Sequence, residues 1–199
     1  MKILPFTTNN LEFIKNYLAD NKVVILPTDT IYGLHVCFSP ENLAVINQAK
    51  HRSANQPCNA IYSNIDQIKH LITKTEHKTI NLLCNISGLT MIVSGETPTG
   101  QAIRRIHPSF KVMFALLEKI GPLYSTSANI STIAYRDDIK DIQAAFPDTM
   151  LFVKQSNYVS RETVLPSTII DIRNKDIKVI RQGSVSREII AAALDKIII

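Results

Sequence analysis

The sequence contains no tryptophan and only six glycines and three cysteines among its 199 residues. The cysteines, Cys37, Cys58 and Cys84, are widely spaced and odd in number, which excludes the dense disulfide framework of a small secreted domain and favours a reducing compartment. No apolar run approaches the roughly 20 residues of a membrane-spanning helix, and the N-terminal residues lack an apolar signal core. We therefore expect a cytoplasmic protein that has no membrane partner.

Several catalytic and nucleotide-binding motifs are absent as well. The chain has no Gly-x4-Gly-Lys-Ser/Thr loop, no Gly-x-Gly-x-x-Gly and no Gly-x-Ser-x-Gly, which argues against a P-loop nucleotidase, a Rossmann dinucleotide site and an α/β-hydrolase serine. The histidines and cysteines form no Cys-x2-Cys or His-x3-His pair, so we expect no metal held by the protein. A nucleotide site, if present, is not visible as a phosphate loop.

The length and charge of the chain set broad limits on its organisation and partners. A chain of 199 residues suits a single domain, 1–199, that buries about 70% of its unfolded surface. Lys plus Arg total 22 against 17 Asp plus Glu, a formal charge of +5. This excess favours anionic partners such as nucleotides, phosphates or RNA, and the alternative is a mildly basic charge that serves solubility.

Hydrophobic periodicity predicts alternating helices and strands. Residues 23–26 form an apolar run that ends at Pro27, as expected of a buried strand. Further strands are predicted at 59–62, 89–93, 102–106, 123–126 and 150–153, with a hairpin at 167–172 and 177–181. Helices are predicted on Leu11, Ile14 and Leu18, from Ser39-Pro40-Glu41, on Ile65, Ile68 and Ile72, over 109–120 and 138–146, and from Ser186. The pattern predicts an α/β (α+β) domain with a mixed sheet.

The segment after Pro27 carries three hydroxyl groups at the end of a predicted strand. If the chain stays extended, Thr28, Thr30 and Tyr32 share one face, whereas Asp29 and Ile31 lie on the other. Gly33 then allows a sharp turn or the close approach of a ligand. Polar strand ends are where open α/β sheets bind ligands, although a solvated threonine face on an edge strand is the alternative.

Two pairs of cations are candidates for binding anions. Lys50 and Arg52 follow a predicted helix end and could together hold a polyanion, although a lysine there also complements the helix dipole. Arg104 and Arg105 are neighbours on a predicted strand and must face opposite sides, so at most one of them points into a site.

Small polar residues mark four further candidate positions. Thr90 could present its hydroxyl at the edge of the sheet, and residues 125–131, Ser-Thr-Ser-Ala-Asn-Ile-Ser, leave a strand with donors and acceptors that do not fill a cavity. A capped turn explains the second stretch equally well. Pro166-Ser167-Thr168 opens the hairpin, and Arg181-Gln182-Gly183 closes it, in a role that is either functional or structural.

These stretches together resemble a known family. Residues 27–34, Pro-Thr-Asp-Thr-Ile-Tyr-Gly-Leu, resemble the opening motif of the YrdC/YciO family, and Lys50-x-Arg52, 125–131, 166–171 and Arg181-x-Gly183 follow in the family's order across most of the chain. The resemblance implies a twisted mixed sheet flanked by helices, with an open basic cavity. It also implies a threonylcarbamoyl-AMP synthase, a nucleotidyltransferase that forms threonylcarbamoyl-adenylate and pyrophosphate from L-threonine, bicarbonate and ATP.

The resemblance also implies roles for individual residues. Thr30, Tyr32 and Ser167 would hold threonine, and Arg104 would bind its carboxylate. Lys50 and Arg52 would be the catalytic cations. ATP, accompanied by Mg²⁺, would be surrounded by Lys50, Arg52, Thr90, Ser125, Ser127, Asn129 and Arg181. The product would pass to a transferase that modifies the tRNA adenosine beside the anticodon. The alternatives are a non-catalytic module that binds RNA or tRNA directly and a relative that forms carbamoyl-adenylate.

The sequence departs from the family pattern at four places. His35 and Thr132 stand where the family usually has glycine, and residues 87–90, Ser-Gly-Leu-Thr, replace a Pro-Gly-Pro-x-Thr turn. The spacing from Arg104 to His107 is one residue shorter than usual, so Arg105 is an alternative to Arg104. We expect the local geometry to differ from the family's at these positions.

Overall fold

A mixed sheet of ten strands organises the computed structural model, which describes residues 3–153 and 165–195. The strands are β1 Ile3–Pro5, β2 Val24–Pro27, β3 Tyr32–Cys37, β4 Asn59–Tyr62, β5 Leu89–Val93, β6 Gln101–Arg105, β7 Leu123–Ser127, β8 Met150–Val153, β9 Thr168–Asp171 and β10 Lys178–Arg181. The helices are α1 Leu11–Ala19, α2 Pro40–Ala49, α3 Lys74–Leu83, α4 Lys111–Ile120, α5 Ile139–Ala145 and α6 Arg187–Asp195.

The strand order confirms the predicted α/β class with a mixed sheet. The order is β1-β8-β2-β3-β7-β4-β6-β5-β9-β10. Among the described strands, five neighbouring pairs are antiparallel and four are parallel. The predicted hairpin is present as the antiparallel pair β9 and β10. Within the described parts of the chain, no helix has the length and apolarity needed to cross a membrane.

Helices cover both faces of the sheet because the strands bury side chains in alternate directions. On β2, Val24 and Leu26 pack with α1 and α4, whereas Ile25 lies in a second cluster with residues of α2 and α5. On β4, Ile61 joins the α1 and α4 side, and its neighbours pack on the opposite face with α3 and α6.

The predicted helix signals explain several ends of the observed helices. Pro40 opens α2 after Ser39, where its missing amide hydrogen costs nothing. Asp138 caps α5 by accepting hydrogen bonds from the amides of Lys140 and Asp141. Gly121 ends α4 with φ of 85°, a left-handed conformation that glycine adopts without strain.

One helix prediction was wrong. Residues 65–72 form two short 3₁₀ turns, and the true helix, α3, begins at Lys74. A capping box fixes this start, because Thr73 and Glu76 exchange hydrogen bonds between their side chains and backbone amides. Ile65, Ile68 and Ile72 therefore owe their regular spacing to packing in the hydrophobic core, and they do not form one face of an α-helix.

The segment after Pro27 does not stay extended, contrary to the prediction. β2 and β3 form an antiparallel hairpin that pairs Pro27 with Tyr32 across the loop 28–31. The Thr28 hydroxyl donates to the carbonyl of Ile31 (2.7 Å) and accepts from the amide of Thr30 (3.2 Å). Threonine side chains that bond the backbone in this way stabilise turns over strands.

Candidate active site

A cavity of about 280 Å³ lies where the 28–31 loop meets β6, the end of β7 and the start of β9. Its wall includes seven of the residues predicted from the sequence: Thr30, Tyr32, Arg104, Ser125, Ser127, Ser167 and Arg181. Lys50, Arg52, Thr90 and Asn129 are not part of this wall. The predicted residues therefore divide into one group that faces the cavity and one that lies behind it.

Arg104 is the buried cation of the cavity wall. Its Nη1 donates to Oδ1 of Asp29 (2.5 Å) and to the hydroxyl of Thr30 (3.0 Å). Its Nε is buried and has no hydrogen-bond partner among the described residues. Arg105 faces away, since it donates to the carbonyl of Ser63 and to the side chain of Asn85. The alternation along β6 therefore selects Arg104 as the arginine that faces the site.

Asp29 lies beside Arg104, although the extended-chain prediction placed it on the opposite face. The side chains of this ion pair are each only 5% exposed. The other oxygen of Asp29 accepts from the hydroxyl of Ser87 (2.9 Å) and from the amide of Gly88 (3.2 Å). Asp29 thus connects the site arginine to the 87–88 turn, one of the places where the sequence departs from the family pattern.

Ser167 is held from two sides. The hydroxyl of Thr90, which is fully buried, donates to Ser167 Oγ (2.8 Å). Nη2 of Arg181 donates to the carbonyl (2.8 Å) and to the hydroxyl (3.3 Å) of Ser167. Desolvation and the positive charge of Arg104 both lower the pKa of the Arg181 guanidinium. Thr90 therefore supports Ser167 from behind, and does not face the cavity as the prediction for ATP requires.

Gly183 permits the close approach between the end of β10 and the Pro166-Ser167 segment. A Cβ at this position would lie 2.3 Å from the carbonyl oxygen of Pro166 and 2.6 Å from that of Ser167. Real Cβ atoms do not make contacts this short with backbone atoms. The Arg-x-Gly stretch therefore needs its glycine so that Arg181 can reach Ser167.

Lys50 lies behind the Ser-Thr-Ser-Ala-Asn stretch and binds it through four oxygens. Its Nζ donates to Thr126 Oγ1 (3.0 Å), Ser127 O (2.7 Å), Ser127 Oγ (2.8 Å) and Asn129 Oδ1 (3.2 Å). Burial and the neighbouring charge of Arg52 lower the pKa of Lys50 to about 8. Because an ammonium has three hydrogens, these oxygens already saturate it. The lysine orders the loop that presents Ser127 to the cavity.

Arg52 is also engaged outside the cavity. Its Nε donates to Asn47 Oδ1 (2.6 Å), and its Nη2 donates to the sulfur of Cys58 (2.8 Å). Asn47 in turn donates to the carbonyls of Ala54 and Gln56. Cys58 is buried, and this burial raises the pKa of its thiol. Arg52 therefore shapes the 53–58 loop, whose end contributes Pro57 and Cys58 to the wall.

His35 fills space beneath Gly33 on the same side of β3 as the cavity. A Cβ on Gly33 would lie 2.9 Å from Cε1 of His35, so this glycine makes room for the ring. Of the two predictions for Gly33, the sharp turn is wrong because the residue lies within a strand, and the close approach of a ligand stays a prediction at a residue that lines the cavity. His35 Nε2 lies 3.1 Å from the hydroxyl of Ser125. Burial and the charge of Arg104 lower the pKa of His35 to about 3, so the imidazole is neutral at physiological pH. The glycine that the family pattern has at position 35 is thus replaced by a buried polar support.

Tyr135 is a cavity residue that the sequence reasoning missed. Its hydroxyl accepts a hydrogen bond from the amide of Tyr32 (3.0 Å) and donates one to Asp137 (2.7 Å). No signal in the sequence pairs two residues that are 103 positions apart. The contact follows only from the path of the loop that connects β7 to α5.

The described residues do not form a cage for a metal ion. No group of three or more His, Cys, Asp or Glu side chains among residues 3–153 and 165–195 is arranged to hold one. Asp29 is the carboxylate that contacts the cavity arginine, and both of its oxygens are already bonded.

Comparisons with known proteins identify the family and the fold of this chain. Residues 16–183 match the Sua5/YciO/YrdC family model, which carries the description "Telomere recombination". A Mycobacterium tuberculosis protein named "Putative threonylcarbamoyl-AMP synthase" is 26% identical over 184 residues, which cover 87% of this chain and 83% of that protein.

Two solved structures show the same fold. P. abyssi Sua5, complexed with L-threonine, is 18% identical with a TM-score of 0.83 over 98% of this chain, which spans only 61% of the Sua5 chain. E. coli YciO is 15% identical with a TM-score of 0.76, over 93% of this chain and 97% of YciO. The match of the family model over most of the sequence decides the assignment, and this chain belongs to the Sua5/YciO/YrdC family.

Proposed function

We propose that this protein is a threonylcarbamoyl-AMP synthase. The reaction joins L-threonine, bicarbonate and ATP to give threonylcarbamoyl-adenylate, pyrophosphate and water. The threonine amine first takes up carbon dioxide from bicarbonate to form a carbamate. A carbamate oxygen then attacks the α-phosphorus of ATP, and the bond to pyrophosphate breaks.

The observation that carries the proposal is the guanidinium of Arg104 in the cavity wall. Asp29 and Thr30 accept hydrogen bonds from its Nη1 and hold it in place. A planar guanidinium in a cavity wall is suited to a carboxylate, because it can bind both carboxylate oxygens. The hydroxyls of Thr30 and Ser167 lie in the same wall and can bind the polar groups of an amino acid.

The remaining polar residues of the cavity suit the nucleotide. Ser125 and Ser127 present small hydroxyls, and Arg181 adds a second positive charge to the cavity. Lys50 does not line the cavity but donates a hydrogen bond to the hydroxyl of Ser127, which does, so its positive charge acts on the cavity through Ser127. Two anions, a carbamate and a triphosphate, must approach each other during the reaction. We propose that these cations bring them together and stabilise charge on the phosphate oxygens.

This arrangement requires no strong general base, because the carbamate is already a nucleophile. The pKa of His35 is lowered to about 3, and its Nε2 lies 3.1 Å from the hydroxyl of the cavity residue Ser125. We therefore assign His35 a supporting role. The chemistry depends on position and charge.

The names of related proteins support the same proposal. The M. tuberculosis relative is named as a synthase of this kind, and the P. abyssi Sua5 structure contains L-threonine. In this proposal Mg²⁺ accompanies ATP, and the adenylate passes to a transferase that modifies the tRNA adenosine beside the anticodon. Each of these partners is an expectation that follows from the proposed reaction.

The test is pyrophosphate release from ATP and bicarbonate, with and without L-threonine. Wild type is compared with Arg104→Ala and with Arg105→Ala, a matched control because the two arginines are neighbours on one strand and face opposite sides. We expect threonine-dependent release in wild type and Arg105→Ala, and a loss of at least a hundredfold in Arg104→Ala, as expected when a charged partner of the substrate is removed. Lys50→Ala and Arg52→Ala extend the series to the cations behind the wall.

Three other outcomes would contradict the proposal. Equal losses in the Arg104 and Arg105 variants would remove the assigned role of the cavity. Release that depends on carbamoyl phosphate instead of threonine would identify a former of carbamoyl-adenylate. Salt-sensitive RNA binding by a folded protein that shows no ATP turnover would favour the non-catalytic RNA-binding module.

A further inference from the structure

Tyr135 contributes an aromatic wall to the cavity from a loop that is otherwise mostly exposed. Residues 131–134 and 136 of this loop are exposed, whereas Tyr135 is half-buried and lines the cavity. An exposed connection that buries one aromatic ring against a polar cavity needs a reason, because aromatic rings provide large apolar contact areas.

The position of the ring is fixed by its hydroxyl. The phenol oxygen accepts from the backbone amide of Tyr32, a residue that is only 3% exposed, and donates to the carboxylate of Asp137. A buried amide requires a partner, and the phenol oxygen of Tyr135 provides one for the first residue of β3. Tyr135 therefore cannot turn away from the cavity without breaking two hydrogen bonds.

The ring lines the same cavity of about 280 Å³ as the arginine that we assign to the carboxylate. Arg104 bonds the side chain of Thr30, and Tyr135 bonds the amide of Tyr32, two residues further along the chain. An amino acid whose carboxylate is on Arg104 therefore shares this cavity with the Tyr135 ring, which is available to contact its Cβ substituents.

We propose that Tyr135 determines the amino-acid specificity of the site, by providing the apolar surface against which the β-methyl group of threonine packs. This inference rests on the proposed function. Serine carries the same carboxylate, amine and hydroxyl as threonine but lacks the methyl group. Discrimination between the two must come from an apolar contact, and one methyl group in such a contact is worth about tenfold or more in affinity.

The test measures binding of L-threonine and L-serine separately by titration calorimetry, so that its readout is independent of catalysis. The proteins are wild type, Tyr135→Ala, Tyr135→Phe and Arg104→Lys, each confirmed as folded by circular dichroism. We expect wild type to prefer threonine about tenfold. Tyr135→Ala reduces this preference toward one, whereas Tyr135→Phe keeps the ring but loses the two hydrogen bonds that hold it, so its preference should fall between those of wild type and Tyr135→Ala. Arg104→Lys weakens both ligands alike and leaves the ratio unchanged.

The outcomes separate this inference from the function on which it rests. If wild type prefers threonine and Tyr135→Ala retains the same ratio, Tyr135 is not the specificity residue. The same holds if wild type binds the two amino acids equally. If wild type binds neither amino acid, the proposed function is wrong, and this inference is wrong with it. Should Tyr135→Ala fail to fold, Tyr135→Leu decides the question, since a smaller apolar side chain should lower the ratio without abolishing it.

Discussion

The two cation groups of the site are placed very differently. Arg104 lines the cavity, with Nη1 bonded to Asp29 and Thr30 and Nε left without a partner. Lys50 lies behind the cavity wall, and loop oxygens saturate its ammonium group. A cation in the cavity wall can bind a ligand directly, whereas a cation behind the wall that is saturated by loop oxygens stabilises the groups that do. A positively charged side chain therefore serves ligand binding in the case of Arg104 and the ordering of a loop in the case of Lys50.

The largest effect is expected from Asp29→Asn, which removes the buried charge that holds Arg104. The variant leaves a buried guanidinium without its counter-charge, which costs about 3–5 kcal/mol in the free energy of unfolding. Urea unfolding measures this loss. The control is Asp20→Asn, which breaks an exposed pair with Lys22 and should cost under about 1 kcal/mol. Equal, small losses in both variants would mean that the Asp29–Arg104 pair does not support the binding side.

The second prediction concerns His35, which lies beside Ser125, and its effect on the free energy of unfolding at acidic pH. Its pKa is about 3 in the folded protein against an ordinary value of 6.5, so the unfolded chain binds a proton between these pH values that the folded chain does not. The free energy of unfolding should therefore fall on acidification from pH 6.5 toward 3, by about 1.4 kcal/mol per pH unit from this residue alone.

His35→Gln removes this contribution and retains a polar group near Ser125. Denaturant unfolding at several pH values would show a shallower fall for the variant than for wild type. Parallel curves for the two proteins would mean that His35 is protonated in the native state, and that the buried neutral ring described above is incorrect.

Part of this comparison follows from the sequence, and part does not. Strand alternation predicts that only one of Arg104 and Arg105 enters the site, but the choice between them depends on the register of β6 with its neighbours. Asp29 was placed on the wrong face because hydrogen bonds of Thr28 turn the chain, which a period-two pattern ignores. α3 escaped prediction because its sequence, Lys-Thr-Glu-His-Lys-Thr-Ile-Asn-Leu-Leu, has few apolar residues, and its start is defined by a cap.

A local sequence pattern also cannot predict whether a positively charged side chain faces a cavity. Lys50 and Arg52 were predicted to follow a helix end, which is correct, and the family resemblance implied that they contact ATP. Whether such side chains face a cavity or the back of its wall depends on β7, whose residues follow more than 70 positions later. The motifs therefore identified the neighbourhood of the site, and tertiary contacts assigned the side chains within it.

The third prediction uses pH to separate the two sides. Lys50 has a pKa of about 8, so its charge is present at pH 7 and is largely lost at pH 9. ATP affinity should fall as pH rises through about 8, by up to about tenfold if one charge-assisted contribution of about 1.4 kcal/mol is lost. Lys50→Arg, if it folds, should flatten this dependence. A flat profile for wild type would show that the charge of Lys50 does not act on the nucleotide.

The smallest effect is expected from Thr90→Val, which preserves shape and removes the hydroxyl that supports Ser167. The Ser167 hydroxyl then loses one partner but keeps Arg181, so the cost should be about 1 kcal/mol in stability, the ordinary value of one hydrogen bond. If Thr90 acts only from behind the wall, threonine binding should weaken a few-fold while ATP binding stays unchanged. If Thr90→Val instead loses ATP affinity, Thr90 contributes to nucleotide binding, as the family resemblance implies. Because the Thr90 hydroxyl is fully buried and bonds Ser167, it would then act on the nucleotide through Ser167.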